Sequence, residues 1–154
     1  IEVPFNCSVE KIWTVWTDNK DIQKWWAPKS NIEPKLHGSY ELFWSPNTPN
    51  DNSTVNCKII GFVPQKMLAF QWRGPVLFAD VMNTDPLPTW VMMSFEPTSP
   101  TSMLLHIRHS GWSEGPRWEK ARHWQDRSWQ DALVSLKDFL YIETPIHPSD
   151  AANK

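Results

Sequence analysis

Cysteine, glycine, surplus charge and long apolar runs are all in short supply in this chain. Cys7 and Cys57 are its two cysteines in 154 residues, too few for a disulfide framework. Packing must therefore hold the fold, and a reduced, intracellular setting is the simpler expectation. Five glycines supply no phosphate-cradling loop, and no P-loop, dinucleotide fingerprint or nucleophile elbow is present. Fifteen Lys and Arg against seventeen Asp and Glu leave a formal net charge of −2. That balance excludes a strongly basic nucleic-acid footprint, and no polybasic run offers itself to an anionic membrane. No apolar stretch approaches the roughly 18–20 residues that cross a bilayer, so membrane insertion is not expected. Ile1-Glu2-Val3-Pro4 lacks a basic segment followed by an apolar core, which reads as no secretory leader and a cytoplasmic location. The glycosylation-like triplets Asn6-Cys7-Ser8 and Asn52-Ser53-Thr54 are then chance matches.

What the chain has in excess is tryptophan. Eleven of them are more aromatic surface than a domain this size needs, which implies very dense packing or a wrapped ligand. With 40% hydrophobic and 21% charged residues, the chain reads as one globular domain over 1–154. Ile1–Phe5 reads as a strand. Val9, Ile12, Trp13 and Trp16 then recur at helical spacing behind Ser8 as N-cap. A second short helix carries Ile22, Trp25 and Trp26 and ends at Pro28. Strand-like runs follow at Tyr40–Trp44, Thr54–Phe62, Met67–Arg73, Thr89–Glu96 and Ser102–Ser110, parted by Pro, Asn and Gly clusters. The last two form a hairpin through Pro97-Thr98-Ser99-Pro100. A long helix over roughly Gly115–Tyr141 closes the order, and residues from about 142 to 154 form a loosely ordered tail. Closely spaced strands without intervening helices make an antiparallel meander, so the class is α+β.

Specific local text joins that order. Val9-Glu10-Lys11-Ile12-Trp13, Trp16-Thr17-Asp18 and Lys24-Trp25-Trp26 form the opening. Gly61-Phe62-Val63-Pro64 leads to Leu68-Ala69-Phe70-Gln71-Trp72, followed by His109-Ser110-Gly111-Trp112 and by Trp124-Gln125-Asp126 through Trp129 to Leu133 and Leu136. Together these resemble the activator of heat-shock protein 90 ATPase homologue family, within the START-like (SRPBCC) superfamily, from Ile1 to about Tyr141. The resemblance implies a helix-grip fold: a curved antiparallel sheet of six to seven strands wrapped on a long C-terminal helix, with two short helices after the first strand. It also implies an internal cavity between helix and sheet, used across the superfamily, lipid-transport members included, for apolar molecules. The namesake co-chaperone binds its chaperone mainly through a separate N-terminal domain, which this sequence does not contain.

Candidate site residues follow from placing side chains on that frame. Trp13 and Trp16 lie on the apolar stripe of the first helix and belong to the core. Trp44, Trp72, Trp90 and Trp112 end or begin strands, and Trp118 and Trp129 lie on the long helix. An indole suits a pocket wall because it combines apolar area with one hydrogen bond, so these six line the pocket or fill the core. Arg122 and Gln125 interrupt the apolar stripe of the long helix. Either the helical phase is shifted and both are solvated, or they project polar atoms into the cavity mouth. His109 shares strand phase with Met103, Leu105 and Ile107. It is either a satisfied core histidine or a cavity residue able to donate to a ligand carbonyl or serve as a base near neutral pH.

His106 and His109, three apart in a strand, point to opposite faces and cannot share a metal. Glu119 and His123 read as a helix-surface pair. No catalytic residue, metal site or cofactor is assigned. The leading expectation is a binding module for a small hydrophobic or aromatic ligand, driven by apolar burial at about 25 cal/mol per Å². One alternative is a protein-interaction module acting on a chaperone ATPase. The other is a cyclase or hydratase with His109 or Asp80 as general base. Oligomeric state is not readable from the sequence.

Overall fold

Alternation decides the sheet. Along Ser102–Ser110 the side chains of Met103, Leu105 and Ile107 are buried while their neighbours are half-buried or exposed, the signature of a strand with one wet face. The computed structural model describes residues 1–143; the tail expected from 142 onwards therefore lies almost wholly outside the described residues. Among the described residues there are seven strands: β1 (Glu2–Phe5), β2 (Lys29–Ile32), β3 (Tyr40–Phe43), β4 (Ile59–Val63), β5 (Met67–Gln71), β6 (Trp90–Ser99) and β7 (Ser102–Ser110). Five of them form an antiparallel sheet in the order β1-β7-β6-β5-β4, and β2-β3 form a second pair. The two pieces meet at the antiparallel bridge Ser39↔Lys58.

Helices α1 (Val9–Thr17) and α2 (Asn19–Trp25) follow β1, as the periodicity predicts. Ser8 caps α1 by accepting from Lys11 N at 3.1 Å. Asp18 serves twice: its backbone N–H closes α1 on Thr14 O, and its Oδ1 accepts from Lys20 N and Asp21 N at the start of α2. A 3-10 turn (Val76–Phe78) and a one-turn helix α3 (Ala79–Met82) lie between β5 and β6. Helix α4 runs over Pro116–Glu143, with Gly115 at φ 119° before it and Pro116 at its first position. Its buried residues Ala121, Gln125, Trp129, Ala132, Leu133, Leu136 and Leu140 face the concave side of the sheet. This is the helix-grip arrangement.

Three details depart from the sequence reading. Strand β2 is unexpected, because Lys-Ser-Asn-Ile carries no apolar alternation. It exists because the Asn19 side chain pins both Ile32 N (2.9 Å) and Ile32 O (3.0 Å) from α2, while β3 supplies the ladder. Conversely, residues 54–58 are not strand. The Thr54 hydroxyl accepts from Leu42 N and donates to Tyr40 O, so a side chain replaces the ladder before a turn with Asn56 at φ 65°. Strand β6 also runs on through Pro97 to Ser99 across a register shift, so the hairpin turn is shorter than the expected four-residue link.

Candidate functional site

Nine aromatic rings, eight of them indoles, make a continuous cluster between α1, α2, the sheet and α4. Trp16 meets Trp25 edge-on at 4.8 Å and Trp26 at 5.1 Å, and Trp25 stacks on Trp26 at 5.3 Å. Trp26 then reaches Trp44 (5.6 Å), Trp72 (6.0 Å) and Trp129 (5.5 Å). Trp72 meets Trp129 at 5.4 Å and the His109 ring at 5.8 Å, and His109 lies 4.6 Å from Trp112, which meets Trp118 edge-on. Such separations favour offset and edge-to-face packing, which adds to plain area burial. The centre of the space under α4 is therefore filled by Trp26, Trp72 and Trp129. The expected internal cavity is corrected to this extent: what the rings leave are clefts at the cluster's flanks.

The first cleft, of about 290 Å³, opens between β7 and the middle of α4 and is lined by His109, Trp112, Arg122, Asp126 and Trp129, with Ile1, Ile107 and Arg108 at its rim. His109 organises it. Its backbone carbonyl accepts the Trp112 Nε1–H at 3.1 Å, and its ring Nδ1 accepts the Trp129 Nε1–H at 3.1 Å. An indole nitrogen only donates, so the neutral imidazole must carry its proton on Nε2. That Nε2 is buried and has no hydrogen-bond partner. Burial first, and the Arg122 cation second, push the His109 pKa down to about 3, which keeps the ring neutral near pH 7. His109 is consequently a donor with its one lone pair already engaged. The general-base role considered for it is withdrawn.

The second cleft, of about 130 Å³, lies on the other side of Trp72 and is lined by Trp44, Trp72, Trp124, Gln125 and Arg73 among others. Gln125 is 2% exposed, and its Oε1 accepts the Trp72 Nε1–H at 3.0 Å. Of the two alternatives the sequence left open, Gln125 takes the inward one: it is an interior polar group that satisfies a buried indole. Arg122 sits one turn earlier on the flank. It is solvent-exposed as the phase-shift reading had it, yet it lines the first cleft.

The remaining candidates divide cleanly. Trp118 is half-buried beside Trp112. Trp90 is 41% exposed and points out of the sheet's opposite face, so it lines neither cleft. A period-2 strand starting one residue earlier would have turned it inward; here Thr89 and Val91 take the inner positions. At its side Gly111 has φ 91°, and a Cβ there would run into Pro88 O and the Trp90 ring. Asp80 is outside the cluster, on α3, where the Arg117 guanidinium hydrogen-bonds its carboxylate and lowers its pKa. It offers no base to either cleft. His106 lies on the outer face between Glu96 (2.8 Å) and Glu2 (3.3 Å), opposite to His109 as strand geometry requires. Both cysteines are free, and burial pushes the Cys57 thiol up to about 12. Sequence reasoning assigned Trp16 to the core and left Trp25 and Trp26 on a short helix. Their role in the cluster carried no local signal beyond the Trp-Trp pair itself.

The comparisons agree with this architecture. The family profile described as "Activator of Hsp90 ATPase homolog 1-like protein" matches residues 6–141. The chain belongs to that family. Among solved structures, protein MLL2253 from Mesorhizobium loti is similar at 20% identity and a TM-score of 0.71, over 95% of this chain and 98% of that one. PFC0360w from Plasmodium falciparum, described as an HSP90 activator, is 12% identical with a TM-score of 0.70, covering 91% of this chain and 93% of its own. The Aha1 dimer from Colwellia psychrerythraea is 19% identical with a TM-score of 0.64, over 90% and 91%. These likenesses show the fold. No curated protein matches the sequence significantly. Among the described residues no helix is long and apolar enough to cross a membrane.

Proposed function

We propose that this protein binds a small hydrophobic or aromatic ligand in the cleft between β7 and α4. One observation carries the reading: through its carbonyl and Nδ1, His109 fixes the Trp112 and Trp129 indoles that wall the cleft. Two indole walls bordered by the polar side chains of Arg122 and Asp126 combine the apolar area and polar groups of a small-molecule site, and about 290 Å³ suits a molecule of one or two rings. Burial of the ligand's rings against those indoles supplies most of the affinity. Titration with neutral naphthol, following Trp emission, should saturate, and His109→Asn should weaken binding while its amide oxygen still accepts from Trp129. A folded protein that shows no saturable signal, or an Asn variant that binds unchanged, overturns the reading.

A second reading rests on the family and on the Plasmodium neighbour: the domain regulates a chaperone ATPase through a protein interface. Adding the purified chain to an Hsp90 ATPase assay tests it directly. Stimulation that survives His109→Asn favours this reading over the first; no stimulation removes it.

A further inference from the structure

We propose that the second cleft, beside Trp72 and Gln125, is a binding site in its own right and takes a single aromatic ring with a hydrogen-bond acceptor on its edge. Trp72 and Trp129, packed at 5.4 Å, stand between it and the β7–α4 cleft. Three indoles from three elements wall it: Trp44 just past β3, Trp72 just past β5 and Trp124 on α4. Each of them is held by a further ring. Trp44 meets Trp72 edge-on at 6.0 Å and Trp26 at 5.6 Å, and Trp124 meets Phe78 at 6.2 Å. Walls fixed in this way leave little ordering for a ligand to impose. The volume of about 130 Å³ matches one ring, since an apolar void of about 150 Å³ holds benzene.

The orientation of one buried amide selects the polarity of that ring. Gln125 is 2% exposed, and an indole nitrogen only donates. The bond from Trp72 therefore fixes the amide with Oε1 towards the indole and Nε2 turned away from it. Nε2 makes no hydrogen bond to a described residue. Among the described residues, the side-chain atoms sealed from solvent without a partner are Trp16 Nε1, Thr89 Oγ1 and His109 Nε2. Gln125 Nε2 is not one of them, so it opens on the cleft that Gln125 lines. It is a donor with no acceptor of its own. No described acidic side chain lines the cleft, and the charged residue that does, Arg73, is a donor as well. A ring with an edge acceptor satisfies the amide while its faces lie on the indoles. A ring whose edge carries only donors meets Nε2 donor to donor.

Pyridine and benzene have the same size and differ in one edge acceptor, so together they isolate this contact. At pH 8, where pyridine is uncharged, proton–nitrogen correlation spectra should show both molecules moving the indole N–H signals of Trp44, Trp72 and Trp124. Pyridine alone should move the Gln125 side-chain amide downfield. Gln125→Met keeps the length and loses the donor; it should weaken pyridine about tenfold and leave benzene within about twofold. If that variant does not fold, the wild-type spectra decide. Pyridine that saturates without moving the Gln125 amide overturns the proposal, as do shifts confined to Trp112 and Trp129 or no shifts at all. A folded Gln125→Met protein that loses both molecules equally, or neither, overturns it too. Naphthol in the β7–α4 cleft is scored separately, on Trp112 and Trp129.

Discussion

At the scale of single residues, His109 couples the site to stability. Its folded pKa is pushed down to about 3, against about 6.5 in an unfolded chain. Between those values the unfolded chain binds a proton that the folded one refuses, so stability falls as pH drops from about 6.5 towards about 3. The slope contributed by this one group is at most about 1.4 kcal/mol per pH unit. Arg122 and Asp126 line the same cleft but are common to wild type and variant. Urea midpoints at pH 7, 5 and 4 should therefore fall more steeply for wild type than for His109→Asn; parallel curves would contradict the buried, neutral imidazole. Trp129 is the second residue with a sharp expectation. The sequence left Trp129 as either pocket wall or core; it is 2% exposed and packed against Trp16, Trp26, Trp72 and His109. Trp129→Ala should cost about 3–5 kcal/mol in a denaturant titration, the usual loss for a large buried aromatic.

At the scale of elements, Asp18 is where two helices are joined by one residue. It ends α1 through its backbone and starts α2 through its carboxylate. Asp18→Ala should destabilise the protein by about 1 kcal/mol, the common cost of a lost N-cap, with Asp18→Ser recovering most of it. Amide exchange should quicken first in α2, because the α1 closure uses only backbone. The elements most legible in sequence were those with a period of their own: α1, α4 and β7. Strand β2 and the turn at 54–58 were not legible, since β2 depends on the distant Asn19 side chain and Thr54 spends its hydroxyl on the distant backbone of Tyr40 and Leu42. A local pattern cannot display a partner that is distant along the chain.

At the scale of the whole molecule, the eleven tryptophans report on one another. All lie among the described residues, and Trp90 is the one with an exposed ring, at 41%. Acrylamide should quench wild-type emission in a fraction that Trp90→Phe largely removes, shifting the remaining spectrum to the blue. Quenching of the Phe variant as strong as that of wild type would contradict the assignment of Trp90 as the most exposed indole. The same experiment separates the outer face of the sheet from the gripping face, a distinction on which the assignment of Trp90 turned.

By itself the sequence determined the class of fold, the long helix and its buried face, the strand phase that sends His106 and His109 to opposite sides, and the family. Those properties follow from periodicity, caps and local text, which are carried by neighbouring residues. Only the tertiary structure decided that Trp26 reaches across to Trp72 and Trp129, that the space under α4 is filled at its centre, and that the lone pair of His109 is spent on an indole. Each of these is a contact between segments far apart in the chain. The identity of such a contact depends on how α2, the sheet and α4 approach one another, and close packing leaves room for one arrangement of rings that no periodicity encodes.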